Sequence, residues 1–200
     1  MKETPIFEEV FMSLLRHPAV GFKLLLGGLL SFVPVVNLFA FGYLYRFALG
    51  IRRSGQIVLP EWEDYQGLFA DGLRFGVVWL LYWALPVLLA AALGQLLDAL
   101  QLGVLSYLLL STVVLLASVL FCAALYRLQT RSNYHDLLDF SLILRMSLRA
   151  GVEFALPALA MLGVLAWGLP LYGLVFFVGF LMILAHSVLL YLRMERSASV

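Results

Sequence analysis

Residues 154–192 read FALPALAMLGVLAWGLPLYGLVFFVGFLMILAHSVLLYL, 39 positions without a Lys, Arg, Asp or Glu. A bilayer core about 30 Å thick is crossed by roughly 20 apolar residues, so the run is long enough for two crossings. Gly168-Leu169-Pro170 stands near its middle. Proline removes a backbone donor and disfavours the helical region for the residue before it. The stretch therefore reads as two helices, over 153–168 and 171–192, joined by a turn.

Working outward, three further apolar runs occupy residues 24–45, 75–97 and 102–126. The first is interrupted by Pro34 in Phe32-Val33-Pro34-Val35-Val36-Asn37 and reads as helices over 19–33 and 36–52. The count is six spans in three hairpins, at 19–33, 36–52, 75–97, 102–126, 153–168 and 171–192. That makes an all-α polytopic protein with one integral membrane domain over residues 1–200. Composition agrees: 64% of residues are hydrophobic, 12% are charged, and the mean hydropathy is +1.00. Soluble domains carry roughly 45–50% apolar and about 25% charged residues, which excludes a water-soluble globule. A net charge of +1 leaves no basic excess for a nucleic-acid partner. Cys122 stands alone, so neither an intrachain disulfide nor a cysteine cluster can form. Glu3, Glu8 and Glu9 precede any long apolar run, which argues against a signal peptide.

Charge placement tests the count. Under six spans all 13 Lys and Arg residues fall on one side, and Asp98 is the only charge in the three opposite turns. Basic residues concentrate in cytoplasmic loops, so both termini are expected in the cytoplasm. The first helix, 19–33, would be only about 22 Å long at 1.5 Å per residue, so the first hairpin either spans as two short helices or is re-entrant. Each hairpin is preceded by a segment with interfacial character, at 5–16, 60–73 and 134–149. In the second, Pro60 stands at the start, and Trp62, Tyr65, Phe69 and Leu73 share a face opposite Glu63, Asp64, Asp71 and Arg74. Trp and Tyr favour the headgroup layer, which makes Trp62 the expected anchor.

Leu25-Leu26-Gly27-Gly28, Val33-Pro34-Val35-Val36-Asn37, Gly42-Tyr43-Leu44-Tyr45-Arg46, Leu59-Pro60-Glu61-Trp62-Glu63-Asp64 and Leu68-Phe69-Ala70-Asp71-Gly72-Leu73 follow one another in an order and spacing that resembles the domain of unknown function 4013 family. The C-terminal two-thirds follows that family only in its general pattern of spans. The resemblance implies a prokaryotic integral protein of the cytoplasmic (inner) membrane. It lends no activity, cofactor or catalytic residue.

His17, His135 and His186 are not at metal-ligand spacing, and no nucleophile elbow or phosphate-binding glycine loop is present. No catalysis, metal or cofactor is therefore expected. Glu61, Glu63, Asp64 and Asp71 read as a helix cap with a wet face. An ionised group at membrane depth costs about 3 kcal/mol or more, and the spans offer few polar groups there. The candidates are Asn37 at the Pro34 break, Trp62, and the ionisable residues Glu153 and His186. The expected role is a non-catalytic accessory or organising subunit, partnered by membrane lipids, by other membrane proteins or by a second copy of itself. The alternative is a small transporter or channel.

The topology is open to direct test. With Cys122 replaced by serine, a cysteine at Asp98 should react with an impermeant reagent added from outside, and one at Ser54 should not. External labelling at Ser54 would overturn the two-helix first hairpin.

Overall fold

The computed structural model describes residues 8, 12, 20–131, 134–167 and 171–198. Among them there is helix and no strand. In chain order the helices are α1 (Val20–Ser31), α2 (Asn37–Ser54), α3 (Tyr65–Trp79), α4 (Leu85–Ala99), α5 (Gly103–Arg131), α6 (Phe140–Trp167) and α7 (Tyr172–Ala198), with a 3-10 turn at Tyr134–Leu138. Among the described residues, three helices are long and apolar enough to cross a membrane: Tyr65–Ala99, Gly103–Thr130 and Tyr172–Arg196. The first surface segment, 5–16, apart from Glu8 and Met12, and the turn centred on Gly168-Leu169-Pro170 lie outside the described residues.

Two breaks expected from the sequence are absent. The 60–73 and 75–97 segments merge into one helix of 35 residues, Tyr65–Ala99. Nothing at Gly72 stops it, since glycine weakens a helix by only about 1 kcal/mol. The helix also starts later than Pro60, because Asp64 is its cap: Asp64 Oδ1 accepts the Gly67 amide at 3.1 Å. Farther along, Leu80–Ala84 widens into a π-helical turn, with the Leu85 amide bonded to the Leu80 carbonyl. Pro86 follows directly, and a proline ring clashes with the carbonyl four residues before it, here that of Tyr82. The wider turn removes that clash and keeps the helix unbroken. Likewise the 134–149 segment does not end before the next span. Asp139 Oδ1 accepts the Leu142 amide at 3.1 Å, and the α-helix it caps continues through Gly151 and Pro157 to Trp167.

The chain divides into two compact units, Met1–Gly76 with Leu159–Val200, and Val77–Ala158. In the second, α4 and α5 form a hairpin closed over Leu100–Leu102, where Gln101 takes φ 62° and the Leu102 amide donates to the Leu97 carbonyl at 2.9 Å. Trp83 Nε1 donates to Ser118 Oγ at 3.1 Å, and the Tyr82 hydroxyl donates to the Leu137 carbonyl. Leu88, Leu93, Leu96, Val104 and Leu108 are all exposed.

The first unit is built on helix crossings that only glycine permits. A Cβ on Gly42 would overlap the Leu68 carbonyl of α3, and one on Gly72 would overlap the Leu38 carbonyl of α2. These two helices therefore touch backbone to backbone. A Cβ on Gly28 would fall 2.8 Å from Leu174 Cα, and one on Gly173 would fall 2.6 Å from the Gly28 carbonyl, so α1 and α7 meet in the same way. Small residues at crossings let membrane helices gain dispersion contacts where lipid supplies no hydrophobic drive. Phenylalanines fill the space beside the crossings. Phe41 lies 4.8 Å from Phe75 and 6.3 Å from Phe176, and Phe176 lies 4.4 Å from Phe180.

Gly42→Ala should lower thermal stability in detergent by about 1–3 kcal/mol, the usual cost of overpacking. Gly50, on the same helix with open space at its Cβ position, should accept alanine and gain about 0.5–1 kcal/mol. Equal effects at the two positions would contradict the backbone contact.

Candidate functional site

The segment between α2 and α3, residues 55–64, is the part of the first unit where charge collects. It leaves α2 through Gly55, at φ 70°, whose amide closes onto the Ile51 carbonyl at 2.7 Å. Leu59 is buried to 2% exposure. Beside it, Lys23 of α1 donates from Nζ to Glu61 Oε1 at 2.6 Å and to the Leu59 carbonyl at 3.4 Å. The Lys23 side chain is 7% exposed and that of Glu61 is 67% exposed. The cation is therefore inside, and its counterion reaches it from the surface.

The second tie is made by Arg46, ten residues into α2. Its Nε donates to Asp71 Oδ2 at 2.9 Å, its Nη2 to Asp64 Oδ2 at 2.8 Å and its Nη1 to the Glu63 carbonyl at 3.1 Å. Asp71 accepts a further bond from Arg74 Nη1 at 2.8 Å. One guanidinium thus fastens both ends of the first two turns of α3, using the fixed fork of donors that lysine lacks. Gly67 makes room for it: a Cβ there would overlap Asp64 Oδ2 and the Arg46 guanidinium. The hydrogen bond from Arg46, aided by the Gly67 amide, holds the Asp64 carboxyl below the usual carboxylate range. At the start of α6 the Leu142 amide and the Ser141 hydroxyl do the same for Asp139.

Trp62 lies in no helix. It precedes α3, and its ring stacks on Tyr43 at 4.2 Å and 19° and lies 6.3 Å from Phe177. Phe177 is 16 residues before Arg193, or roughly 24 Å along the axis of α7 at 1.5 Å per residue. The segment thus folds back from the basic end of that helix into its apolar stretch. The Tyr43 hydroxyl and Trp62 Nε1 are buried there without hydrogen-bond partners among the described residues.

The remaining sequence candidates do not join this cluster. Asn37 opens α2; its amide donates to the Val33 carbonyl at 2.9 Å, while its side-chain oxygen is buried without a partner among the described residues. The backbone, rather than the side chain, closes that turn. Glu153 is exposed on α6 in the second unit, and His186 is 5% exposed on α7 in the first. Sequence reasoning took the acidic group as a wet helix face and missed its counterions, Lys23 and Arg46. The available signal was their position inside apolar runs, where a cation calls for a partner. Among the described residues no His, Cys, Asp and Glu side chains gather as a metal-ligand set.

A family model described as Protein of unknown function (DUF4013) matches residues 26–190. It therefore extends well beyond the N-terminal motifs. No curated protein and no solved structure matches the chain.

Glu61→Gln leaves Lys23 charged and buried with only neutral acceptors, so thermal stability should fall by about 1–3 kcal/mol. Tyr43→Phe removes a hydroxyl with no partner among the described residues and should cost no stability. A loss for Tyr43→Phe as large as that for Glu61→Gln would show that the hydroxyl has a partner.

Proposed function

The chain belongs to the DUF4013 family, and from that membership and the geometry of the 55–64 segment we propose a non-catalytic, multi-pass membrane protein that serves as an accessory or organising subunit. The observation that carries the reading is where the charged side chains of the signature are spent. Lys23, Arg46, Glu61, Asp64 and Asp71 bond to one another across α1, α2 and α3, and Gly42 and Gly72 are used by a helix crossing. Chemistry-bearing groups are thus committed to holding the fold. The apolar, exposed flanks of α4 and α5 are left as the surface offered to lipid or to partner helices.

The protein is placed in the prokaryotic inner membrane with both termini cytoplasmic. Tyr65–Ala99, Gly103–Thr130, α6 and α7 are its long crossings, and α1 and α2 are the two arms of a shorter first hairpin, completing six. The end of α2 supports this placement, since the Cβ position of Gly55 lies 3.7 Å from the Arg196 guanidinium. The basic ends of α2 and α7 therefore share one side.

Purified in mild detergent from its native membrane, the protein is expected to bring down a membrane partner, or a second copy of itself, in fixed stoichiometry. Reconstituted alone into vesicles, it is expected to carry no solute or proton flux. A flux abolished by Glu153→Gln together with His186→Gln would overturn this reading in favour of a transporter, because glutamine keeps hydrogen bonds but cannot change protonation.

A further inference from the structure

The segment 55–64 runs to a depth that its exposed side chains do not fit. Gly55 leaves α2 at the level of Arg196, whose guanidinium is 3.7 Å from the Gly55 Cβ position. Seven residues later Trp62 lies 6.3 Å from Phe177. From the other side α1 marks the same level, since a Cβ on Gly27 would overlap the Phe177 ring. Phe177 stands roughly 24 Å along α7 from Arg193 at 1.5 Å per residue, and residues 172–192 carry no Lys, Arg, Asp or Glu. In a hydrocarbon core about 30 Å thick, the tip of the segment is therefore well inside the membrane.

Lipid is a poor cover for it there. The Glu61 side chain is 67% exposed and that of Asp64 is 65% exposed. Glu63 between them is also exposed, and it joins no ion pair among the described residues. An ionised carboxylate is expensive against hydrocarbon and is found at depth facing protein or water. The backbone points the same way independently. Among the described residues, the amides from 57 to 63 donate to no backbone carbonyl, and non-helical chain is tolerated at membrane depth only where protein encloses it or water meets it. The exposed side is continuous with the basic end, since Ser54, Gln56 and Val58 are exposed on the way to Glu61. The inner side is sealed: Leu59 is buried, and Trp62 stacks on the buried ring of Tyr43.

We infer that the outer face of residues 56–64 lines a water-filled vestibule, open at the basic end of α2 and α7 and ending at Trp62. It admits water and small hydrophilic solutes to that depth and passes none across the membrane. This rests on the membrane reading above, in which α7 is a crossing.

The test is cysteine accessibility in sealed proteoliposomes, with the full chain, Cys122 replaced by serine, and a charged, membrane-impermeant methanethiosulfonate as the reagent. Glu63→Cys should react at a rate close to that of Gln56→Cys, and only from the side that labels Ser54→Cys. Leu25→Cys, two residues from Gly27 on the exposed face of α1, marks lipid at the same depth and should react at least about 100-fold more slowly. Val58→Cys removes no polar group and replaces Glu63→Cys in the comparison if a thermal melt shows that the latter disturbs the fold. No reaction at the strap cysteine of a variant that melts like its parent, or reaction from the opposite side, would overturn the vestibule and leave the membrane reading standing. Reaction at Leu25→Cys as fast as at the strap would overturn both, because lipid would then not surround that level of the unit.

Discussion

A guanidinium in the middle of an otherwise apolar helix must be paired, and the first unit is organised around meeting that requirement. Arg46 occupies this position in α2. Its partners Asp64 and Asp71 bracket the first two turns of α3, so pairing the cation also sets where α3 begins and which face it turns toward α2. That face carries Gly72, and the glycine crossing with Gly42 follows from the approach the ion pairs demand. A larger residue at either crossing position would hold the helices apart and stretch the Arg46 bonds.

Lys23 repeats the arrangement on α1. Its ammonium is buried, and the 55–64 segment must fold inward to deliver Glu61 and the Leu59 carbonyl to it. This inward path brings Trp62 onto Tyr43 and near Phe177. It also leaves the Tyr43 hydroxyl and the indole N–H without partners among the described residues, and an unmade buried bond costs about 1–3 kcal/mol. The ion pairs and the stacked rings offset it. The segment therefore acts as a strap joining α1, α2 and α3, which gives a physical reason why Leu59-Pro60-Glu61-Trp62-Glu63-Asp64 is so distinctive a stretch of the sequence.

The membrane character and the helical class were legible in composition and run length, because apolar runs of about 20 residues have few other uses. The breaks between surface helices and spans were not. A change from polar to apolar along a chain says nothing about backbone continuity, and neither Gly72 nor Gly151 is a strong enough breaker to stop a helix. Pro86 and Pro157 sit inside helices for a related reason: a local widening, or a single lost hydrogen bond, is cheaper than ending the element. The charged cluster was half legible. Its acids were visible as a group, but their counterions lie 18 to 38 positions away in sequence, and only the three-dimensional crossing brings them together.

The central claim is that Arg46 and Asp71 form one energetic unit that fixes α3 on α2. A double-mutant cycle of Arg46→Gln and Asp71→Asn, read as thermal stability in detergent, tests it most directly. Residues in one bonded network couple by about 0.5–3 kcal/mol, so the double variant should be more stable than the sum of the two single losses implies, by an amount in that range. Losses that add to within about 0.3–0.5 kcal/mol would mean that the two side chains act independently, and would contradict the account.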